Sequence, residues 1–131
     1  ANRLAAANCD FFNAIHASAT VSERVSLGRG LMINAESYLG PGVEVGDHVL
    51  VDSCVNISHD VRLEEGVTVT PGVTVAGGVL LGADSYVGPG ATIVENVTVG
   101  EGTIVGAGAV VTDDVPPDTT VVGIPASPLS N

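Results

Sequence analysis

The stretch NISHDVRLEEGVTVTPGVTVAGGV, residues 56–79, decides the fold of this 131-residue chain. An aliphatic residue recurs in it every six positions, at Ile57, Leu63, Val69 and Val75, and a valine follows each of them four positions later. Side chains of a strand alternate between its two faces, so this spacing predicts short strands with two inward side chains each. The three positions between successive strands are predicted turns.

The same period runs without an insertion from Ile15 to Val111, where every sixth residue is Ile, Leu or Val. Three hexads form a triangular coil of 18 residues, which predicts just under six coils. Such a repeat is typical of a parallel β-helix, an all-β fold in which each coil packs only on its neighbours. We predict a leader over residues 1–14, a hexapeptide-repeat β-helix over residues 15–116, and a C-terminal tail over residues 117–131.

Composition supports a narrow aliphatic core and excludes several partners. Aromatic residues make up 3% of the chain, and Trp is absent. The formal net charge is −11, with four Arg and no Lys, so neither a nucleic-acid backbone nor an anionic membrane surface is an expected partner. No stretch has the length of a membrane span and no signal peptide is visible, so we expect a cytoplasmic protein.

His59 and Gly77 interrupt the plain repeat. Each is the third residue of its hexad and they are 18 positions apart, so they are predicted to stack on one outward corner in successive coils. Gly77 is the one hexad glycine at the third position, which suggests a close approach to its backbone. With Asp60 beside it, His59 offers a base, an orienting carboxylate and a nearby N–H, the minimal set for acyl transfer. The alternative is that His59 is a solvated turn residue.

The remaining histidines and cysteines give weaker signals. His16 is expected to help start the β-helix, and His48 to lie in a surface or interface turn. The spacing of the three histidines matches no zinc ligand set, so we expect no metal site. Cys54 has no histidine near it in sequence, and Cys9 lies in the irregular leader, so neither is an expected nucleophile.

Four segments, IHASATV, NISHDVRL, VTPGVTVAGGVLLGADSYVGPGATI and VGAGAVVTDDVPPDTTVVGIPA, resemble the hexapeptide-repeat acyltransferases. The resemblance is greatest to the sialic-acid O-acetyltransferase and nucleotide-sugar N-acetyltransferase family, and it spans residues 15–126. It implies a left-handed β-helix, a homotrimer, and acetyl-CoA as the donor. The GxG turns recur with the hexad and are not a dinucleotide fingerprint, because no helix follows them.

The resemblance also implies roles for individual residues. His59 followed by the acid Asp60 corresponds to the catalytic base, and Gly77 would present its N–H to the thioester carbonyl of acetyl-CoA. The active site would lie in a groove between neighbouring β-helices. The pantetheine arm would lie along two further segments, formed by Gly106, Ala107 and Gly108 and by Gly123, Ile124 and Pro125.

Two departures from the family leave alternatives open. No basic residue follows Arg62, so contacts to the CoA phosphates must come from elsewhere. The N-terminal domain that holds a nucleotide sugar in this family does not precede the repeat here, and residues 1–14 resemble its linker. The leading hypothesis is acetyl transfer to an amino or hydroxyl group of a sugar, such as a nucleotide-linked amino sugar or sialic acid. The alternative is a non-catalytic trimeric scaffold or a truncated acyltransferase without acceptor binding.

Overall fold

The computed structural model describes residues 10–129. Cys9 and most of the predicted leader lie outside this range. The described chain is a left-handed parallel β-helix with three sheets, A, B and C, one for each face of a triangular prism. The prediction of an all-β hexapeptide solenoid is therefore confirmed.

The strands are short because the chain turns a corner every six residues. Sheet A contains β1 (Ala14–Ile15), β4 (Met32–Ile33), β7 (Leu50–Val51), β10 (Thr68–Val69), β13 (Tyr86–Val87), β16 (Ile104–Val105), β18 (Thr120–Val122) and β19 (Ser127–Pro128). Sheet B contains β2 (Thr20–Val21), β5 (Tyr38–Leu39), β8 (Asn56–Ile57), β11 (Thr74–Val75), β14 (Thr92–Ile93) and β17 (Val110–Val111). Sheet C contains β3 (Ser26–Leu27), β6 (Glu44–Val45), β9 (Arg62–Leu63), β12 (Leu80–Leu81) and β15 (Thr98–Val99).

The register places residues 18 apart beside each other on successive coils. Asn56 pairs with Thr74, and Ile57 pairs with Val75. The register shortens to 16 residues at the C-terminal end, where Val105 pairs with Val121. There β18 extends sheet A, and β19 folds back antiparallel onto it.

The core fills the prism mainly with aliphatic side chains, and the hydroxyl residues Ser37, Ser85 and Thr103 take inward positions among them. Its largest fully buried residues are Leu31, Ile33, Leu39, Ile57, Leu63, Leu81 and Ile93, and valines occupy most other inward positions. The first strand residue of each hexad instead points outward and is exposed or half-buried. The alternation of inward and outward side chains follows the strand period.

The fourth hexad position is a left-handed backbone position at most corners. Its φ is +79° at Gly42 and +56° at Asp60, the same position one coil later. Asp, Asn and Gly tolerate this conformation better than other residues, which explains why they are frequent there. At five places a side chain at this position folds over a glycine of the preceding coil. A Cβ on that glycine would collide with the side chain. The pairs are Gly30–His48, Gly42–Asp60, Gly66–Asp84, Gly78–Asn96 and Gly102–Asp118.

Acidic residues are segregated on the prism. We name each face after its sheet and each corner after the faces it joins in chain order, so the A–B corner follows the strands of sheet A. The C face and the B–C and C–A corners carry twelve of the fifteen acidic residues: Glu23, Glu44, Asp47, Asp60, Glu64, Glu65, Asp84, Glu95, Glu101, Asp113, Asp114 and Asp118. The A face, B face and A–B corner together carry Asp52 and Glu36, and Asp10 precedes the first strand.

Candidate active site

His59 and Asp60 form a hydrogen-bonded pair on the B–C corner, directly after β8. The imidazole Nδ1 lies 3.0 Å from the Asp60 carboxylate Oδ2. A carboxylate can only accept, so we assign the proton of a neutral ring to Nδ1, which leaves Nε2 as an acceptor. Both side chains are about two-thirds exposed, at 66% and 71%, so a small molecule can reach the ring from solvent.

Gly77 lies beside the same imidazole, one coil further along. A Cβ at Gly77 would lie 2.5 Å from Nε2 of His59 and 2.6 Å from its Cε1. The backbone of Gly77 does not have a positive φ, so the glycine is required by the ring and not by its own conformation. The expected close approach at this backbone is thus made by the imidazole itself.

The Gly77 N–H donates to no acceptor among residues 10–129, while the Gly77 carbonyl accepts from the N–H of Asn96 at 2.9 Å. Third-position N–H groups at other corners are also outside the backbone ladder, for example that of Glu95. Gly77 differs from Glu95 in having no side chain, and a Cβ there would lie 2.5 Å from Nε2, so the Gly77 backbone lies beside the His59 ring.

The two other segments that the resemblance singles out lie together, but on a different corner. Gly106, Ala107 and Gly108 form the last complete A–B corner, between β16 and β17. The segment Gly123, Ile124 and Pro125 lies beside the start of β17, since Val110 N–H donates to the Gly123 carbonyl at 3.0 Å and Ala126 N–H donates to the Val110 carbonyl at 2.8 Å. Within one chain the face B strands therefore separate these residues from Gly77.

His16 has the opposite hydrogen-bond arrangement to His59. Its Nδ1 accepts from the Ser18 N–H at 3.0 Å and lies 2.8 Å from the Ser18 hydroxyl. A backbone N–H can only donate, so Nδ1 is unprotonated and a neutral His16 carries its proton on Nε2. This tautomer prevents Nε2 from accepting a proton, so the His16 ring is held as a local turn contact beside β1.

His48 is a packing residue on the C–A corner. Its ring makes an edge contact with Phe11, with 4.6 Å between ring centroids. Its other side lies over Gly30, where a Cβ would lie 2.5 Å from Nδ1. The position agrees with the surface turn expected from the sequence.

A carboxylate–amide pair on the A–B corner, formed by Asp52 and Asn34, was not predicted from the sequence. Asn34 Nδ2 donates to Asp52 Oδ1 at 3.0 Å, and the Ser53 N–H donates to the same oxygen at 2.8 Å. These two donors, the Asn34 amide above all, lower the pKa of Asp52 from its ordinary value of 3.8. The 18-residue spacing of Asn34 and Asp52 could have identified the pair, because such residues stack.

The described residues contain no group of three His, Cys, Asp or Glu side chains arranged to hold a metal ion. Cys54 is a free, exposed thiol on the A–B corner. Within residues 10–129 no helix has the length and apolar character needed to cross a membrane.

Known proteins with the same hexapeptide repeat and the same fold are similar to this chain. Residues 78–113 match the model of the bacterial transferase hexapeptide, six repeats. Over those 36 residues the chain carries the hexapeptide repeat of bacterial transferases. No curated protein matches it significantly.

Solved structures resemble the chain over nearly its whole length. One is a variant of GDP-perosamine N-acetyl transferase from Caulobacter crescentus, with a histidine replaced by alanine, that was solved with CoA and GDP-perosamine. It is 33% identical in sequence, the match covers 99% of this chain, and the TM-score is 0.98. The acetyltransferase domain of PglB from Neisseria gonorrhoeae FA1090 shares 35% identity and 98% of this chain, with a TM-score of 0.96. The same domain was also solved in complex with acetyl coenzyme A. The chain spans 62% of the length of each of these proteins.

Proposed function

We propose that the chain transfers an acetyl group from acetyl-CoA to an amino group of a nucleotide-linked sugar. The observation that carries the proposal is the arrangement of a solvent-accessible imidazole Nε2, an orienting carboxylate on Nδ1, and a bare backbone N–H at Gly77. Its support from similar proteins is that perosamine N-acetyl transferase was solved with CoA and a GDP-linked sugar. We also propose a cytoplasmic location, where acetyl-CoA is available.

In the proposed reaction His59 acts as a general base. The neutral acceptor amine attacks the thioester carbonyl carbon, and its N–H proton passes to Nε2 of His59 as the new C–N bond forms. Asp60 keeps Nδ1 protonated and stabilises the imidazolium that results. The Gly77 N–H donates to the carbonyl oxygen, which becomes an oxyanion in the tetrahedral intermediate.

Collapse of the intermediate completes the transfer. The C–S bond breaks, the electron pair returns to the CoA sulfur, and the imidazolium returns a proton to the departing thiolate. The products are an N-acetylated sugar and free CoA thiol, and His59 is again neutral. A hydroxyl acceptor would follow the same steps and give an ester.

The chain offers a corner of small residues for the pantetheine arm of acetyl-CoA. That corner and His59 lie on different corners of one prism, so a complete site needs more than one copy. Gly106, Ala107 and Gly108 form a corner of small residues, and a Cβ at Gly108 would have no atom within 4 Å, so we propose that this corner and the segment Gly123–Pro125 hold the pantetheine arm. This corner is not the one that carries His59, so we propose a trimer in which the active site lies between two copies. A groove between prisms also encloses a ligand better than one convex corner does.

The proposal is tested with acetyl-CoA, a panel of nucleotide-linked amino sugars, and the matching sugars with a hydroxyl in place of the amine. We expect acceptor-dependent release of free thiol and an acetylated product whose mass identifies the amide. Calorimetry with acetyl-CoA alone measures donor binding separately from turnover. Donor binding without transfer to any acceptor would favour a truncated acyltransferase, and absence of both would favour the non-catalytic scaffold.

A further inference from the structure

The B–C corner carries different charges on the two sides of His59. Toward the C-terminal coils, the corner has three carboxylates and no basic side chain: Glu95, Asp113 and Asp114. Toward the N-terminal coils it has one base and one acid, Arg24 and Glu23, in the first coil. An anionic group bound beside His59 is therefore repelled by the C-terminal side of the corner and held more favourably on the N-terminal side.

Arg24 stands in the same column of the corner as Asp60, since both take the fourth hexad position. The Gly42 N–H donates to the Arg24 carbonyl at 3.1 Å, and the Asp60 N–H donates to the Pro41 carbonyl at 3.0 Å. These bonds keep the first three coils in register at the corner. Two coil spacings therefore separate the backbones of Arg24 and Asp60 by about 10 Å along the solenoid axis.

The Arg24 guanidinium is available to a ligand. Arg24 is exposed and forms no salt bridge with any carboxylate of residues 10–129. Arg29, on the C–A corner, instead lies 4.0 Å from Asp47. Arg62, on face C, is in register with Glu44 on the neighbouring strand. A guanidinium presents its N–H groups as a rigid fork that matches two phosphate oxygens at once.

The surface between Arg24 and His59 is low. Pro41 is half-buried and directly precedes His59 in the third-position column. Gly42 has no side chain of its own, and the Asp60 carboxylate folds over it. A sugar ring on this surface can pack its C–H groups against Pro41 and donate a hydroxyl to Asp60. The corner thus offers a place for a sugar between a base at one end and a cation at the other.

We propose that Arg24 binds the diphosphate of the acceptor and so selects nucleotide-linked sugars over free sugars. The sugar ring then spans the gap from the guanidinium to Nε2 of His59, with the thioester on the Gly77 side. Arg24 contacts no reacting atom in this arrangement, so it sets specificity and not the rate of the chemical step. The inference rests on the proposed function, which places the acceptor amine at His59.

The first test measures binding of UDP and GDP by calorimetry, with neither acetyl-CoA nor a sugar present. The wild type is expected to bind at least one of them, and Arg24→Ala to bind it about tenfold more weakly, because a charge-assisted hydrogen bond contributes that much. In 1 M salt, where the Debye length is about 3 Å, this difference should vanish. Arg29→Ala is the control, because it changes the net charge equally on another corner and should bind as the wild type does.

The second test compares a nucleotide-linked amino sugar with the same sugar lacking the nucleotide. For the linked acceptor, Arg24→Ala is expected to raise KM about tenfold and to leave kcat and the KM for acetyl-CoA unchanged. For the unlinked sugar, kcat/KM should be the same in variant and wild type. Arg24→Lys keeps the charge without the fork and should fall between the two proteins.

A wild type that binds neither nucleoside diphosphate would overturn the proposal, and so would an Arg24→Ala variant that binds as tightly as the wild type. Weaker binding by Arg62→Ala alone would place the diphosphate on face C instead. An equal loss of kcat on linked and unlinked sugars would assign Arg24 to supporting Asp60 and reject a phosphate contact. Binding that depends on Arg24, without acetyl transfer to any acceptor, would contradict the proposed function and leave the diphosphate contact standing.

Discussion

Two corners of the prism carry an imidazole packed over a glycine, and only one of them has the features of an active site. On the C–A corner His48 folds back over Gly30 in the preceding coil and is covered by Phe11. On the B–C corner His59 leans over Gly77 in the following coil, hydrogen bonds to Asp60, and stays 66% exposed.

The difference shows that a histidine stacked on a glycine is a way of packing a ring in this solenoid and does not by itself indicate catalysis. A coil spacing of about 4.8 Å leaves little room for a ring between two side chains, so a glycine above or below it is a steric requirement. What separates His59 is the carboxylate on its Nδ1, the free Nε2 and the bare N–H of Gly77.

The largest expected effect on activity comes from removing the His59 imidazole. His59→Ala should lower kcat by about 10²–10⁴-fold, or roughly 3–5 kcal/mol of barrier, because a placed general base contributes that much. Its thermal stability and acetyl-CoA affinity should change little, since the ring is exposed. Steady-state kinetics and calorimetry measure these quantities.

His48→Ala is the matched control for that variant. It should leave kcat unchanged and lower the free energy of unfolding by about 1 kcal/mol, the typical value of an aromatic contact such as the one with Phe11. If His59→Ala keeps more than a tenth of wild-type turnover, or His48→Ala loses as much as His59→Ala, the contrast between the corners is wrong.

Gly77→Ala should have the next largest effect. The new Cβ would lie 2.5 Å from Nε2, so the imidazole must swing away from its position beside Asp60. Misplacement of a catalytic group by about 1 Å can cost roughly 10²-fold in rate, and we expect a loss of that order in kcat without a change in melting temperature.

The same substitution in the His59→Ala background identifies how Gly77 acts. If the Cβ acts by displacing the ring, Gly77→Ala should add little to the loss already caused by His59→Ala. An equal fold-loss in both backgrounds would mean that the Cβ obstructs the thioester or its N–H contact directly.

Asp60→Asn should give a smaller loss, about tenfold in kcat or 1.4 kcal/mol of barrier. The amide preserves the side-chain shape and tolerates the positive φ, but it lacks the negative charge that stabilises the imidazolium. Asp84→Asn is a close control, because Asp84 folds over Gly66 as Asp60 folds over Gly42 and has Ala83 in place of the histidine. Equal losses in both variants would show that the carboxylate at this position serves the fold alone.

The smallest expected effect is on stability and concerns Asp52, a carboxylate with an amide beside it where Asp60 has an imidazole. Asn34→Ala removes the main cause of the lowered pKa of Asp52. A carboxyl group whose pKa is lowered by folding adds stability above its unfolded pKa and loses that contribution as pH falls through the folded pKa. The wild type should therefore be more stable than Asn34→Ala at pH 7, by no more than about 1 kcal/mol for an accessible hydrogen bond.

This difference should shrink as the pH is lowered below 3.8, the ordinary value for the Asp52 carboxyl. Thermal melts at pH 7 and pH 3 measure it. Asn56→Ala, an outward change on face B, should have the same small effect at both values. A difference between wild type and Asn34→Ala that is independent of pH would rule out the Asp52 charge as its source.

The sequence by itself determined the solenoid, its coil length and its core. The period of six and the inward pair in each hexad are local properties, because each strand needs only its own two inward side chains to choose a face. Stacking at 18 residues follows from three such hexads, and it places His59 beside Gly77 in the next coil. The acyltransferase roles of these residues came from resemblance and remain proposals.

The tertiary structure decided the side-chain contacts, which the hexad period does not predict. Side-chain rotation brought Asp60 onto Nδ1 of His59, turned His16 into an acceptor for Ser18, and placed the His59 ring where a Cβ of Gly77 would lie. Such contacts depend on side-chain torsion angles, and a repeat of backbone positions does not encode them.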